Sequence, residues 1–210
     1  TTHGGELYLH HLLTHPHKTV EQITQTQQIL QQLLPLLSQW PQQISNGTLQ
    51  VLEKLYEYNF DRIPHGHAPL EAFTFRILNK PDYSLIRFSV IHAIDFIKGM
   101  HQLYNLLQQQ NASVVLQQLL QQIRICLQPD SIQEIVHNEK SKLLQPARML
   151  RLGHFLRYTF RDRAQELIDC YYRLDAWYSM AKAVHTYGLH FPEVTYRAEP
   201  YIRIKGLYHL

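Results

Sequence analysis

The longest stretch of regular hydrophobic spacing runs from Pro146 to Tyr187 and contains one interior glycine, Gly153. Apolar residues recur there every three or four positions, so at 100° per residue they share one side of a helix. These positions are Met149, Leu152, Leu156, Phe160, Leu167, Tyr171, Leu174, Tyr178 and Ala181. Pro146 suits the first helical turn, and Gly188 suits the position after the last one. Unbroken, this helix would be roughly 60 Å long at ~1.5 Å per residue, and a bend is expected at Gly153 or at Arg163.

The N-terminal part of the chain shows shorter patterns of the same period. Residues 6–15 predict a short helix that ends at a proline. Thr19, with a glutamine three residues later, fits a capping box and opens a helix that extends to about Trp40. Pro35 lies inside that pattern and should kink or split the helix. Thr48 is predicted to cap the next helix, which follows an Asn-Gly break.

The middle of the chain continues the helical pattern after a loop at residues 63–69. We expect a short helix over 70–78 with three side chains pointing into the core: Leu70, Phe73 and Ile77. A second long helix is predicted over 81–110, followed by helices over 113–127 and about 130–136. Alternation at 201–206 weakly indicates a strand. The predicted fold class is therefore all-α, an elongated multi-helix domain with two long helices and a short C-terminal strand.

Composition narrows the classes of protein to which the chain could belong. Its 210 residues are 45% hydrophobic and 18% charged, which suits one large globular domain or two small ones. A net charge of +3 falls short of the dense basic surface of a dedicated nucleic-acid binder. The most apolar run, 84–100, carries four ionisable residues, so no membrane span is expected. Cys126 and Cys170 lie in helical apolar contexts and are predicted to be buried free thiols, with a disulfide between them as the alternative.

No pattern typical of an active site is found, and the chain is predicted not to be an enzyme. The sequence lacks GxSxG, HExxH, CxxC, GxGxxG and GxxxxGK[ST], so neither catalytic residues nor a bound cofactor are expected. The fourteen histidines raise the question of a metal site. They include His11 and His15, one helical turn apart, with His17 just beyond, and His65 and His67 in the loop. Structural zinc needs four ligands at set spacing, so we interpret these histidines as surface residues and predict no metal.

Three basic residues share the face of the long helix opposite the apolar stripe: His154, Arg157 and Arg161. A row of this kind could contact the phosphates of DNA, and these three are the candidate DNA-backbone contacts. The alternative is a solvated face joined by ion pairs to nearby Asp162 and Glu166. Arg→Ala changes that leave the salt dependence of DNA binding unaltered would exclude phosphate contact.

The two ends of the chain resemble the core domain of the MutS family. The family's opening pattern has a Thr and a Gly before a Leu-rich helix, then a Pro and a further helix. Matching residues are Thr2, Gly5, Leu7, Leu12, Leu13, Pro16, Ile23, Gln27 and Leu30. Thr26 departs from it, because the family usually has Arg there.

At the other end the family has an aspartate followed by Ser, Ala and Pro, matched by Asp175, Ser179, Ala181 and Pro192. A short strand and an Arg-His-Pro triplet follow in the family, and of that triplet this chain retains His209. Residues 45–140 match only patchily.

The resemblance implies that residues 1–200 form a helical core, or lever, domain and that 201–210 begin the linker into an ATPase domain outside this sequence. Such a domain is non-catalytic and couples ATP-driven motion to DNA binding. ATP and Mg would belong to the ATPase domain of the same polypeptide. The parent would bind DNA, form a homodimer in DNA mismatch repair and be cytoplasmic. The alternative is a free-standing helical scaffold that binds protein partners through an apolar groove.

Overall fold

A computed structural model of the protein describes residues 1–58, 63–66, 68–108, 112–138, 144–196, 199 and 201–204. Nine α-helices lie within these ranges and no strand does, so the predicted all-α class is confirmed. The helices are α1 (His3–Thr14), α2 (Val20–Leu33), α3 (Asn46–Glu57), α4 (Pro69–Leu78), α5 (Lys80–Leu107), α6 (Val114–Leu127), α7 (Asp130–Asn138), α8 (Pro146–His154) and α9 (Arg161–Tyr187).

The two predicted long helices are present as α5, with 28 residues, and α9, with 27. At ~1.5 Å per residue each is about 40 Å long. Helix α9 packs against α1, α2 and α6, whereas α5 packs against α3, α6, α7 and α8. These contacts bury the predicted apolar stripe: of its nine residues, eight are buried and Tyr178 is half-buried.

The stretch 146–187 is interrupted, as expected, because a π-helical turn at Phe155–Thr159 separates α8 from α9. Its wider hydrogen bond runs from the Phe160 amide to the Phe155 carbonyl over 3.0 Å. The interruption lies between the two expected bend positions, and Arg163, which the ideal period placed on the apolar stripe, is exposed. The apolar stripe nevertheless stays buried on both sides of the turn, for example at Leu152 before it and at Leu167 after it.

Several local predictions about helix ends are confirmed. Pro35 ends α2, and the chain continues as a 3₁₀ helix over Leu34–Gln39. Gly188 follows α9 in the left-handed conformation, with φ of 60°. Thr48 is not the cap of α3, because Ser45 takes that place and forms a capping box in which the two side chains and amides bond reciprocally.

The predicted inward face of α4 is wrong. Leu70, Phe73 and Ile77 are 75%, 56% and 58% exposed, whereas the fully buried residue of this helix is Ala72. Apolar residues occupy both sides of α4, so its periodicity alone does not decide which side packs. Contact with α8 and α5 selects the side of Ala72. The expected strand over 201–206 is also wrong in its described part, since 201–204 form no regular structure.

Candidate functional site

The three candidate DNA-backbone contacts lie at the junction between α8 and α9. His154 is the last residue of α8, Arg157 belongs to the π turn, and Arg161 is the first residue of α9. Arg161 is exposed, while His154 and Arg157 are half-buried. Two of the three side chains, those of His154 and Arg157, are therefore partly covered by other residues of the protein.

Arg157 closes the C-terminal end of α3. Its guanidinium donates hydrogen bonds to the backbone carbonyls of Tyr56 and Tyr58, the second over 3.0 Å. The last carbonyls of a helix have no partner within the helix, and a cation there also complements the helix dipole. Burial raises the pKa of the Tyr56 hydroxyl, and the charges of Arg157 and Arg161 offset part of that rise. Arg157 thus already has a structural role that the sequence pattern did not indicate.

His154 makes ring contacts on both sides. Its imidazole lies 3.9 Å, centroid to centroid, from that of His65 and 4.7 Å from the ring of Tyr158. These contacts tie the loop at 63–66 to the end of α8. Of the three predicted residues, Arg161 is therefore the one whose side chain is open to solvent, and its contact with DNA stays a prediction.

A second cluster, which sequence reasoning did not assemble, joins the N-terminus to the middle of α9. Asp175 is 4% exposed, and its Oδ2 accepts hydrogen bonds from the Thr2 amide at 2.6 Å and from the Thr2 hydroxyl at 2.7 Å. The Thr2 hydroxyl in turn accepts from the Gly5 amide at 3.3 Å and caps α1. A Cβ at position 5 would overlap the Asp175 carboxylate, so a glycine is needed there. A carboxylate at a helix N-terminus is electrostatically favourable.

Neighbouring contacts extend this cluster to α3. The His3 amide donates to Asn46 Oδ1 over 2.7 Å, and the Tyr172 hydroxyl donates to Glu53 Oε1 over 2.7 Å. Burial, and then the hydrogen bond to Glu53, raise the pKa of Tyr172. The N-terminus of α1, the helix α3 and the helix α9 are consequently fixed to one another by polar contacts. The N-terminal junction, as we call it, consists of Thr2, Gly5 and Asp175.

The prediction of two buried free thiols is confirmed. Both lie between α6 and α9, where Cys126 donates to Glu166 over 3.1 Å and Cys170 to Gln122 over 3.8 Å. Burial raises the pKa of Cys126 to about 12 and that of Cys170 to about 11. Thiols held in their neutral form are poor nucleophiles, because the thiolate is the reactive species.

The histidines considered for metal binding are dispersed. His11 and His15 stack with their ring centroids 4.4 Å apart, whereas His17 contacts Thr26 instead. His67 lies outside the described residues. Within the described ranges no three metal-ligating side chains converge, and no helix there is long and apolar enough to cross a membrane.

The fold and the N-terminal junction define the protein as an all-α helical domain in which polar contacts hold distant chain segments together. No protein-family model, no curated protein and no solved structure matches the chain, so comparison with known proteins does not assign it to a family.

Proposed function

We propose that the chain is the non-catalytic helical core, or lever, domain of a MutS-like DNA repair ATPase. The observation that carries this proposal is the N-terminal junction. Thr2 and Gly5 belong to the opening pattern that resembles the MutS core domain, and Asp175 begins its closing pattern. Thr2 and Asp175 are 173 positions apart in the chain, yet they share two hydrogen bonds.

The arrangement of helices suits a domain that transmits motion. Helix α9 is a continuous element of about 40 Å, and rigid elements couple distant sites more effectively than loops do. The N-terminal junction fixes the entry of the chain to a point near the middle of α9, so that displacement of one is carried to the other. ATP and Mg would bind the ATPase domain of the same polypeptide. The full-length protein would contact DNA, act as a homodimer in mismatch repair and be cytoplasmic.

The parent reading frame provides the first test. We expect a strand followed by GxxxxGK[ST] within roughly a hundred codons after Leu210, since that loop cradles the phosphates of ATP. In the parent protein, Asp175→Ala should reduce the stimulation of ATP hydrolysis by DNA while basal hydrolysis persists. The matched control is Asp169→Ala, which removes an exposed carboxylate from the same helix. A stop codon directly after Leu210, or full DNA stimulation in Asp175→Ala, would remove the lever role.

The alternative is a free-standing scaffold for protein partners, and exposed apolar side chains on α4 favour it. A lever separated from its neighbours should instead expose apolar surface at the tail, and Tyr201, Ile202 and Ile204 are 60%, 84% and 57% exposed. Fluorescence of the dye ANS separates these two functions. Dye binding that disappears in Ile202→Asp supports the lever, whereas dye binding that Ile202→Asp leaves unaltered, as expected of the apolar side chains on α4, supports the scaffold.

A further inference from the structure

Helices α4 and α5 enclose a surface groove of about 620 Å³ that neither the lever role nor the scaffold role assigns to a particular ligand. Its apolar lining includes Tyr83 as a buried floor and the side chains of Ile77 and Phe88, which are 58% and 52% exposed. Leu70 and Phe73 extend the exposed apolar surface along α4. Large apolar side chains at this exposure on two adjoining helices are typical of an interaction surface.

The charged side chains that line the groove are all basic. Of the eight described residues that line it, three are cations, Arg76, Lys80 and Arg87, and none carries a carboxylate. Arg76 lies over the ring of Tyr83, with its guanidinium carbon 5.9 Å from the centroid. None of the three forms an ion pair with a residue in the described part of the chain. An apolar floor with a basic rim is complementary to a ligand that carries both leucine-like and acidic side chains.

The dimensions of the groove match a short helix. The lining residues on α5 run from Lys80 to Ile91, which is about 16 Å at ~1.5 Å per residue. A bound helix of that length has about eleven residues, or three turns. Helices that dock in grooves present anchors at positions i, i+3 or i+4, and i+7. Three turns supply three such anchors.

We propose that this groove binds an acidic amphipathic helix of a partner protein. Its apolar residues pack on Ile77, Tyr83 and Phe88, and its carboxylates face the three cations. Nucleic acid is a weaker fit, because phosphates would use the cations and leave Ile77 and Phe88 without apolar partners. A second copy of this chain is a weaker fit too, because it would bring a second basic rim to the groove.

Fluorescence anisotropy with two labelled peptides tests the proposal. The first peptide has fourteen residues, with leucines spaced alternately three and four positions apart and glutamate at every other position. The second peptide has lysine in place of each glutamate. We expect saturable binding of the glutamate peptide that weakens with added salt, and no binding of the lysine peptide. Phe88→Ala and Arg87→Glu should each weaken binding about tenfold or more.

The control variant is Leu13→Asp, which alters a leucine that is 69% exposed on α1, away from the groove. It should bind the glutamate peptide as the unaltered protein does, and circular dichroism confirms that each variant is folded. The proposal is overturned by the absence of saturable binding, by equal binding of both peptides, or by equal binding in Phe88→Ala. It is likewise overturned if a duplex oligonucleotide displaces the peptide and binds more tightly, or if sedimentation shows a dimer that Ile77→Asp dissociates.

Discussion

The N-terminal junction should be a major source of stability, and Asp175→Ala tests this directly. The variant removes the acceptor of two hydrogen bonds from Thr2 and leaves a buried amide and a buried hydroxyl without that partner. Hydrogen bonds to a charged group contribute about 1.5–3 kcal/mol each, but these two share one oxygen. Loss of the anion at the N-terminus of α1 adds about 0.3–1 kcal/mol. We therefore expect the free energy of unfolding to fall by about 3 kcal/mol.

Urea denaturation followed by circular dichroism measures this loss, with the urea dependence itself unchanged. Asp175→Asn keeps an acceptor oxygen without the charge, so it should lower the free energy of unfolding by about half as much as Asp175→Ala. Thr2→Val removes the hydroxyl, and its combination with Asp175→Ala should cost less than the sum of the single changes, because both disrupt one hydrogen bond.

The matched control is Asp169→Ala on the same helix, where the carboxylate is exposed and accepts a hydrogen bond from Gln165 over 3.1 Å. Asp169→Ala should lower the free energy of unfolding by no more than about 0.5 kcal/mol. An Asp175→Ala variant as stable as this control would refute the reasoning, since the buried polar contacts would then contribute nothing. Strictly additive effects of Thr2→Val and Asp175→Ala would contradict their direct contact.

Three further predictions concern other parts of the fold. Arg157→Ala should cost about 1–3 kcal/mol in urea unfolding because the last carbonyls of α3 lose their donor, whereas the exposed Arg161→Ala should cost under about 0.5 kcal/mol. Burial raises the pKa of Cys126 from about 9 to about 12 and that of Cys170 from about 9 to about 11. Because the thiols of the unfolded chain lose their protons first, we expect the free energy of unfolding to fall as the pH rises above about 9. Urea midpoints at pH 8, 9 and 10 measure this fall. Gly153→Ala should lower the thermal midpoint at a cost of about 1–3 kcal/mol, since its Cβ would lie 2.7 Å from Ile86 Cγ2.

Each of these predictions has its own control. Equal losses in the two arginine variants would contradict the capping role of Arg157. The double variant of Cys126→Ala and Cys170→Ala should show a flatter dependence on pH, and an unchanged dependence would show that the thiols are not its source. Gly47→Ala places a Cβ 3.7 Å from the nearest contact, Ser45 Oγ, so it should leave the thermal midpoint nearly unaltered.

The sequence could predict the features that depend on near neighbours in the chain. The stripe from Met149 to Ala181 identified core positions because helical geometry brings residues three and four apart to one side. Pro35 ends α2 because it lacks an amide hydrogen, and Gly188 follows α9 because it tolerates positive φ. Two buried thiols followed from their apolar helical surroundings. Each prediction rests on backbone geometry within a few residues.

The tertiary structure decided what depends on residues far apart in the chain. Periodicity placed Phe73 in the core, but packing on α8 selected the opposite side of α4. The basic pattern put Arg157 on a solvated face, whereas the end of α3 lies within its reach. Resemblance singled out Thr2 and Asp175 separately, and folding brought them to 2.6 Å. Sequence spacing specifies the faces of a helix, but the partner of each face is chosen by the packing of all helices together.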